Sequence, residues 1–343
     1  MNIVEVLNTI RDNATAEYQS RIPEATRENL EQIRYAMIDG DNVMVANEFM
    51  STLLNKLVKS VVHTKVFKNP LKALKKGNKP VGDTIEEIYQ NFIKGDVYDP
   101  EGVNLLQRKL PDTKTVYHRM NYKHKYKVTV SRENLSRAFA SYEALESYIS
   151  SIINALYNSA ELDEYLNMKE LIKSAVDKNA VVVKEIANPL ESEAAGKEFI
   201  KTVKTVSGLM EFPSTEWNGY LTAQTKDKTP ITTFSRKSEQ VLILDTATNT
   251  SVAVDVLASL FNMTVAEFND TKKIVIDHFP VTTKGTIYGA LVDEAFFQIF
   301  DDLFTTTSFP NGEGLYDNYF LHVWQTLAYS ILVNAVVFVV PAE

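Results

Sequence analysis

The 343-residue chain sets 36 Lys and Arg against 44 Asp and Glu, a net charge of −8 at a pI of about 5.3, which excludes a general nucleic-acid binder. Its 45% hydrophobic and 23% charged residues describe a folded, soluble protein long enough for two modest domains. The lack of cysteine excludes disulfides and cysteine-held metals; MNIVEVLNTIRDN has no signal-peptide pattern, and the longest apolar run, Ile331 to Val340 with Asn334 inside it, is too short to cross a bilayer.

Residues 1 to about 62 read as helix in pieces. Ile3, Val4, Leu7 and Ile10 form a first stripe. A second segment follows Pro23, with Thr26 as its cap before Leu30, Ile33 and Met37. Asp39-Gly40-Asp41 is a turn, and Val43 to Val62 a third helix. Such a run is either an arm that packs on other surfaces or a plain helical subdomain. Lys65 to Pro80 is a basic loop in which Phe67 is the single aromatic, so a solvated linker is favoured over a nucleic-acid contact.

Thr84 to Ile93 is ambiguous between strand and helix, and Gly95, Pro100, Gly102 and Pro111 mark a loop-rich stretch. Thr115 to Val130 then alternates strictly. Val116, His118, Met120, Tyr122, His124, Tyr126, Val128 and Val130 share one face; Arg119, Lys123, Lys125 and Lys127 share the other. Read as one strand it would run roughly 50 Å, and a two-stranded ribbon of that length needs cover for its apolar face, which a second copy could supply.

From Asp112 to Asn188 there is no Gly or Pro. A short helix over Ser131 to Ala140 leads into Ser141 to Lys178, where Leu145, Ile149, Ile152, Leu156, Tyr165, Met168 and Ile172 keep helical spacing. Ser141 is the expected cap, and the helix would be roughly 55 Å long, a spine for the subunit. After Pro189 helices and strands alternate: a helix over Phe199 to Phe212, strands at Gln240 to Asp245, Lys273 to Phe279 and Thr286 to Leu291, and helices over Val252 to Phe261 and after Thr264. Ala295 to Phe304 is amphipathic, and Tyr319 to Val340 suits one or two central strands.

Chemistry is sparse. VLILD, ending at Asp245, resembles the acid-bearing strand of nucleoside triphosphatases, yet no GxxxxGK[ST] loop accompanies it. A hydrolase using the strand ends at Asp245 and Asp277, or a nucleic-acid-binding module using Lys65 to Lys79, is the alternative reading. His118 and His124 stand too far apart on a straight strand to share one ion. Glu161, Asp163, Glu164, Asp301 and Asp302 read as solvated helix faces, and Trp217 and Trp324 as core anchors. No constellation supports catalysis, a metal or a cofactor.

Several segments resemble the major capsid proteins of tailed phages, specifically the phi-29-like short-tailed group: NPLKALKKGNKPVGDTIEEIY (Asn69 to Tyr89), SYISSIINALYNSAELDEY (Ser147 to Tyr165), DVLASLFNM (Asp255 to Met263), GLYDNYFLHVWQTL (Gly314 to Leu327) and NAVVFV (Asn334 to Val339), with the weakest coverage over about 180 to 240. The resemblance implies an α+β fold of the HK-97 capsid type. It implies an N-terminal arm over 1–81, an extended loop over 82–130, a peripheral domain from 131–195 and 306–343 with its spine helix over 141–178, and an axial domain over 196–305. Some relatives add an immunoglobulin-like domain after the last strand, for which this chain leaves no room.

Function would then be mechanical. Copies would build hexamers and pentamers of an icosahedral shell around double-stranded DNA, assembled in the host cytoplasm with scaffold and portal proteins, without a membrane and without enzyme activity. Arg119, Lys123, Lys125 and Lys127 would contact an acidic surface on a neighbouring copy.

Overall fold

A computed structural model describes residues 3–39, 43–52, 67–79, 84–98, 100–102, 106–139, 142–223, 229–251 and 272–342. The expected cap Ser141, the helices expected at Val252 to Phe261 and after Thr264, Lys65, and the part of Val43 to Val62 beyond Thr52 lie outside these residues. The chain divides into two compact units, one from 1–69, 122–164 and 301–325, the other from 70–121, 165–300 and 326–343.

In the first unit, short helices α1 (Ile3–Asn13), α2 (Ala16–Arg21), α3 (Leu30–Arg34) and α4 (Val43–Thr52) carry the N-terminal stripes. α2 is absent from the sequence reading. Thr15 caps it, its hydroxyl accepting from the Tyr18 amide and donating to Glu48 at 2.9 Å. Thr26 does not cap α3: its amide donates to the Asn29 side chain at 2.8 Å, and Asn29 holds the N-cap position. Ile10, Tyr18, Ile33, Met37 and Phe49 are all buried, and Phe49 meets Phe139 at 5.9 Å between ring centres. These helices bury their stripes within the unit.

Strand β1 (Gly77–Asn78) precedes β2 (Thr84–Gln90), which resolves the strand-or-helix ambiguity. The alternating stretch forms two strands, β3 (Thr113–Arg119) and β4 (Tyr122–Ser131). The alternation of faces is as read; the continuity is not. The Asn121 side chain donates to Leu327 O and accepts from Leu327 N, both at 2.8 Å, taking the place of a backbone ladder pair. β2 pairs antiparallel with β3, whereas β4 pairs with β10 (Tyr316–Tyr329).

Helix α5 (Arg132–Ala138), capped by Ser131, leads to α6 (Tyr142–Asp177), the long helix expected from the unbroken apolar spacing.

The second unit holds a five-stranded sheet in the order β5 (Val182–Glu185), β11 (Ala335–Val340), β8 (Thr286–Asp293), β6 (Gln240–Asp245), β7 (Lys273–Ile276). β6 is buried at every residue and β11 at all but Val340, the near-continuous apolar pattern of strands covered on both faces. Helix α7 (Glu193–Leu209) starts at Ser192, whose hydroxyl accepts from Ala195 N, and lays Phe199, Val203 and Val206 on Leu242, Leu244, Leu291 and Phe338. Gly289 eases this close approach, since a Cβ there would stand 3.0 Å from a Leu244 methyl and 3.2 Å from the Phe199 ring, tighter than ordinary contacts. Trp217 packs at the margin of that core. Asn334, inside the apolar run, is wholly buried and satisfied, donating to Met210 O at 3.3 Å and accepting from the Thr233 hydroxyl.

Short α8 (Thr246–Ser251) follows β6. Ala295 to Phe304, amphipathic by sequence, is mostly strand: β9 (Phe297–Asn311) forms a hairpin with β10. Pairing with β10 decides the element that the amphipathic pattern left open.

Candidate assembly surfaces

β2 and β3 form a ribbon stem fastened along its length within the second unit. Tyr89 and Val116 pack on Tyr220, Ile231 and Leu332. The Glu87 carboxylate accepts from the Ser330 hydroxyl and lies 2.9 Å from His118 Nε2. At the far end of the stem Asn91 donates to Pro230 O at 3.0 Å and accepts from Thr232 N at 3.1 Å. Beyond Asn91 the character changes. Val97 is 94% exposed, Leu106 92% and Tyr98 86%, and Ile93 and Leu110 are also mostly exposed. Soluble monomers seldom present so many large apolar side chains on one segment. One ion pair, Lys109 with Asp96 at 2.8 Å, spans the described part of this tip.

The four cations expected on one face are split. Arg119 ends β3 on the exposed side of the ribbon. Lys123, Lys125 and Lys127 lie on β4 in the first unit, in register with Trp324, His322 and Phe320 of β10. Lys123 Nζ is 4.8 Å from the Trp324 ring centre, and Lys125 and Lys127 are 5.6 and 6.0 Å from that of Phe320. Trp324 is therefore a half-exposed platform for a lysine, not the core anchor expected. The opposite face points inward: Tyr319, Leu321 and Val323 are buried, and the Tyr126 hydroxyl donates to Asp163 at 2.7 Å. Burial and its bonds to Tyr122 and Asp163 push the Tyr126 phenol well above its ordinary value.

The acidic residues expected on solvated helix faces include buried ones. Glu164 is buried and accepts from Gln325 Nε2 at 2.7 Å and Asn69 Nδ2 at 3.3 Å, and the same Gln325 nitrogen donates to Asp301 at 2.9 Å.

The hydrolase residues are occupied structurally. Asp245 is buried and caps α8, accepting from Thr248 N at 2.7 Å. Asp277 accepts from the buried Lys169 ammonium at 2.7 and 3.0 Å and from the Tyr165 hydroxyl. Partial burial pushes the Asp277 carboxyl upward, but these donors and the His278 backbone amide outweigh it and hold it well below the usual carboxylate range. A carboxylate so bound is a clamp on α6, not a free acid or base. His118 and His124 fall on different strands, and among the described residues no group of His, Cys, Asp or Glu has metal-site geometry. The basic loop is pinned where it is described: a 3-10 turn over Pro70–Leu74 buries Leu71 and Leu74, and Lys76 N donates to Ile299 O at 3.0 Å. No described helix is long and apolar enough to cross a membrane.

Sequence reading missed the lysine–aromatic row, because Phe320 and Trp324 come from a segment nearly two hundred residues after β4. It also missed the Lys169–Asp277 clamp, whose only trace was a lysine on the apolar side of a helix.

Comparison with known proteins identifies the chain's family. The family described as Phi29-like phage major capsid protein matches residues 7–339. The major capsid proteins of Bacillus phage PZA and Bacillus phage B103 are 35% and 34% identical, each over 98% of this chain and 72% of the relative. In structure, a chain from the capsid of Staphylococcus phage Andhra superposes with a TM-score of 0.65 at 14% identity, covering 81% of this chain and 86% of that one. A chain from the capsid of cyanophage P-SCSP1u gives 0.51 at 9% identity, over 81% and 90%. The fold is the HK-97-like α+β capsid fold, the role is structural, and the chain belongs to the Phi29-like phage major capsid protein family.

Proposed function

We propose that this major capsid protein builds hexamers and pentamers of an icosahedral shell around double-stranded DNA, and that the ribbon tip is the segment each copy lays on its neighbour. In this reading 1–81 is the N-terminal arm, 131–195 with 306–343 the peripheral domain and 196–305 the axial domain. Assembly takes place in the host cytoplasm with scaffold and portal proteins. The observation that carries it is the contrast within one ribbon, a stem fixed to its own chain and a tip with large apolar side chains in water. Repetition makes modest tip contacts sufficient, because every further contact within a particle forms at high effective concentration. Arg119, on the exposed side of the stem, belongs to this contact; Lys123, Lys125 and Lys127 lie on another sheet.

Combined replacement of Val97, Tyr98 and Leu106 by Ser tests the reading. The variant should keep the circular-dichroism spectrum and melting temperature of the parent subunit and form no particles by negative stain, with or without a co-expressed scaffold. Normal particles from this variant would refute the tip contact.

A further inference from the structure

We propose that the β4–β10 face is a strip that takes the phosphodiester backbone of duplex DNA, with Lys123, Lys125 and Lys127 as its phosphate contacts. Alternate residues of a strand stand about 6.7 Å apart, so Lys123, Lys125 and Lys127 form one row along the outward face, Lys123 over Trp324 and the other two sharing the Phe320 ring. The ring contacts hold that line in place and reduce the freedom three long side chains would otherwise lose on binding. The outward residues of the paired stretch, Lys123 to Thr129 against Asn318 to Trp324, include no carboxylate, in a chain where acids outnumber bases by 44 to 36. The strip is thus a local reversal of the subunit's sign.

A line of lysines fits a polyphosphate better than a protein neighbour. Lysine is depleted where proteins meet one another, whereas protein–DNA interfaces are strongly cationic. An ammonium is a point charge that takes a phosphate from many directions, so a row can follow a backbone without reading bases. Lysines on an edge strand also serve to keep edges apart, a role that requires no ligand. The inference rests on the capsid reading only for the source of the DNA.

Fluorescence anisotropy of a short labelled duplex with the purified chain, over a salt series, tests it. Three phosphate contacts predict a slope of log affinity against log salt of about −2.7, or about 40-fold weaker binding for a fourfold rise in salt. Lys125→Gln should lower that slope by about 0.9, Lys125→Arg should retain it, and the triple Gln variant should abolish the salt-dependent binding. Absence of binding by the parent chain, an unchanged slope in the Gln variants, or equal lysine-dependent binding of a poly-glutamate peptide would each overturn the strip. Loss of particles from the triple variant in the absence of DNA would also overturn it, making the row a contact between copies. Failure of the capsid reading shows separately, as a parent chain that forms no particles at all.

Discussion

β3 and β4 come from one uninterrupted alternating run, yet the fold uses them in opposite ways. β3 belongs to a two-stranded ribbon whose inward side is held by Tyr220, Ile231, Leu332 and the Glu87 carboxylate. β4 is the edge of a sheet whose inward side meets Asp163 of the long helix and whose outward side is a line of lysines over aromatic rings. The difference teaches that alternation fixes which side chains share a face and says nothing about which partner each face finds. Two residues, Met120 and Asn121, divide the run, and Asn121 does so by turning its own amide onto Leu327.

The comparison can be broken at the β3 side with the largest effect. Leu332→Ala removes a fully buried anchor beneath the ribbon stem and should cost about 3 kcal/mol, read as a lowered melting temperature with faster amide exchange at β2 and β3 and little change at β4. A lock that neither strand shares serves as a control. Asp277→Asn leaves Lys169 buried without its counter-charge, which costs about 3–5 kcal/mol between fully buried partners; because Asp277 is half exposed, about 2 kcal/mol is expected. Its sign with pH follows from the depressed carboxyl. The stabilisation is complete above the ordinary carboxylate value near pH 4 and is lost as acid titrates toward the lower folded value, so parent and variant melting temperatures should converge in acid.

On the β4 side the effects are smaller. Tyr126→Phe removes the hydroxyl that donates to Asp163 and should cost about 1 kcal/mol, with exchange faster at β4 and unaltered at β3. Smallest of all, replacing Lys123, Lys125 and Lys127 together by Gln should alter subunit stability by no more than about 0.5 kcal/mol, because each is exposed and paired only with a ring face. A large loss there would show that the row is part of the fold and not a surface laid on it.

What could be read from sequence followed the strength of local signals. The long helix, β6 and the face assignments in β3 and β4 carry uninterrupted periodic patterns, and each stands where expected. The helix α2 was missed because AEYQSR has no apolar period of its own; its evidence is the Thr15 cap. Ala295 to Phe304 shows only amphipathy in sequence; hairpin pairing with the strand that follows it, β10, made it strand from Phe297 onward. The surfaces were legible in part. The cations were visible, but their aromatic platforms come from residues 320 and 324, and no periodicity joins segments so far apart. The apolar tip was hidden among loop signals, since exposure is a property of the fold and not of the residue.

The position of β11 has a consequence for biogenesis. It runs parallel to β5 and antiparallel to β8 and sits between them, although its residues, 335–340, are synthesised after every other strand of that sheet. Until the ribosome has delivered them, β5 and β8 have an unfilled slot where the middle of the layer belongs. A nascent or prematurely terminated polypeptide would leave that slot open and be recognisable to proteases and chaperones, so that only subunits translated through Val340 would be competent to join a growing particle.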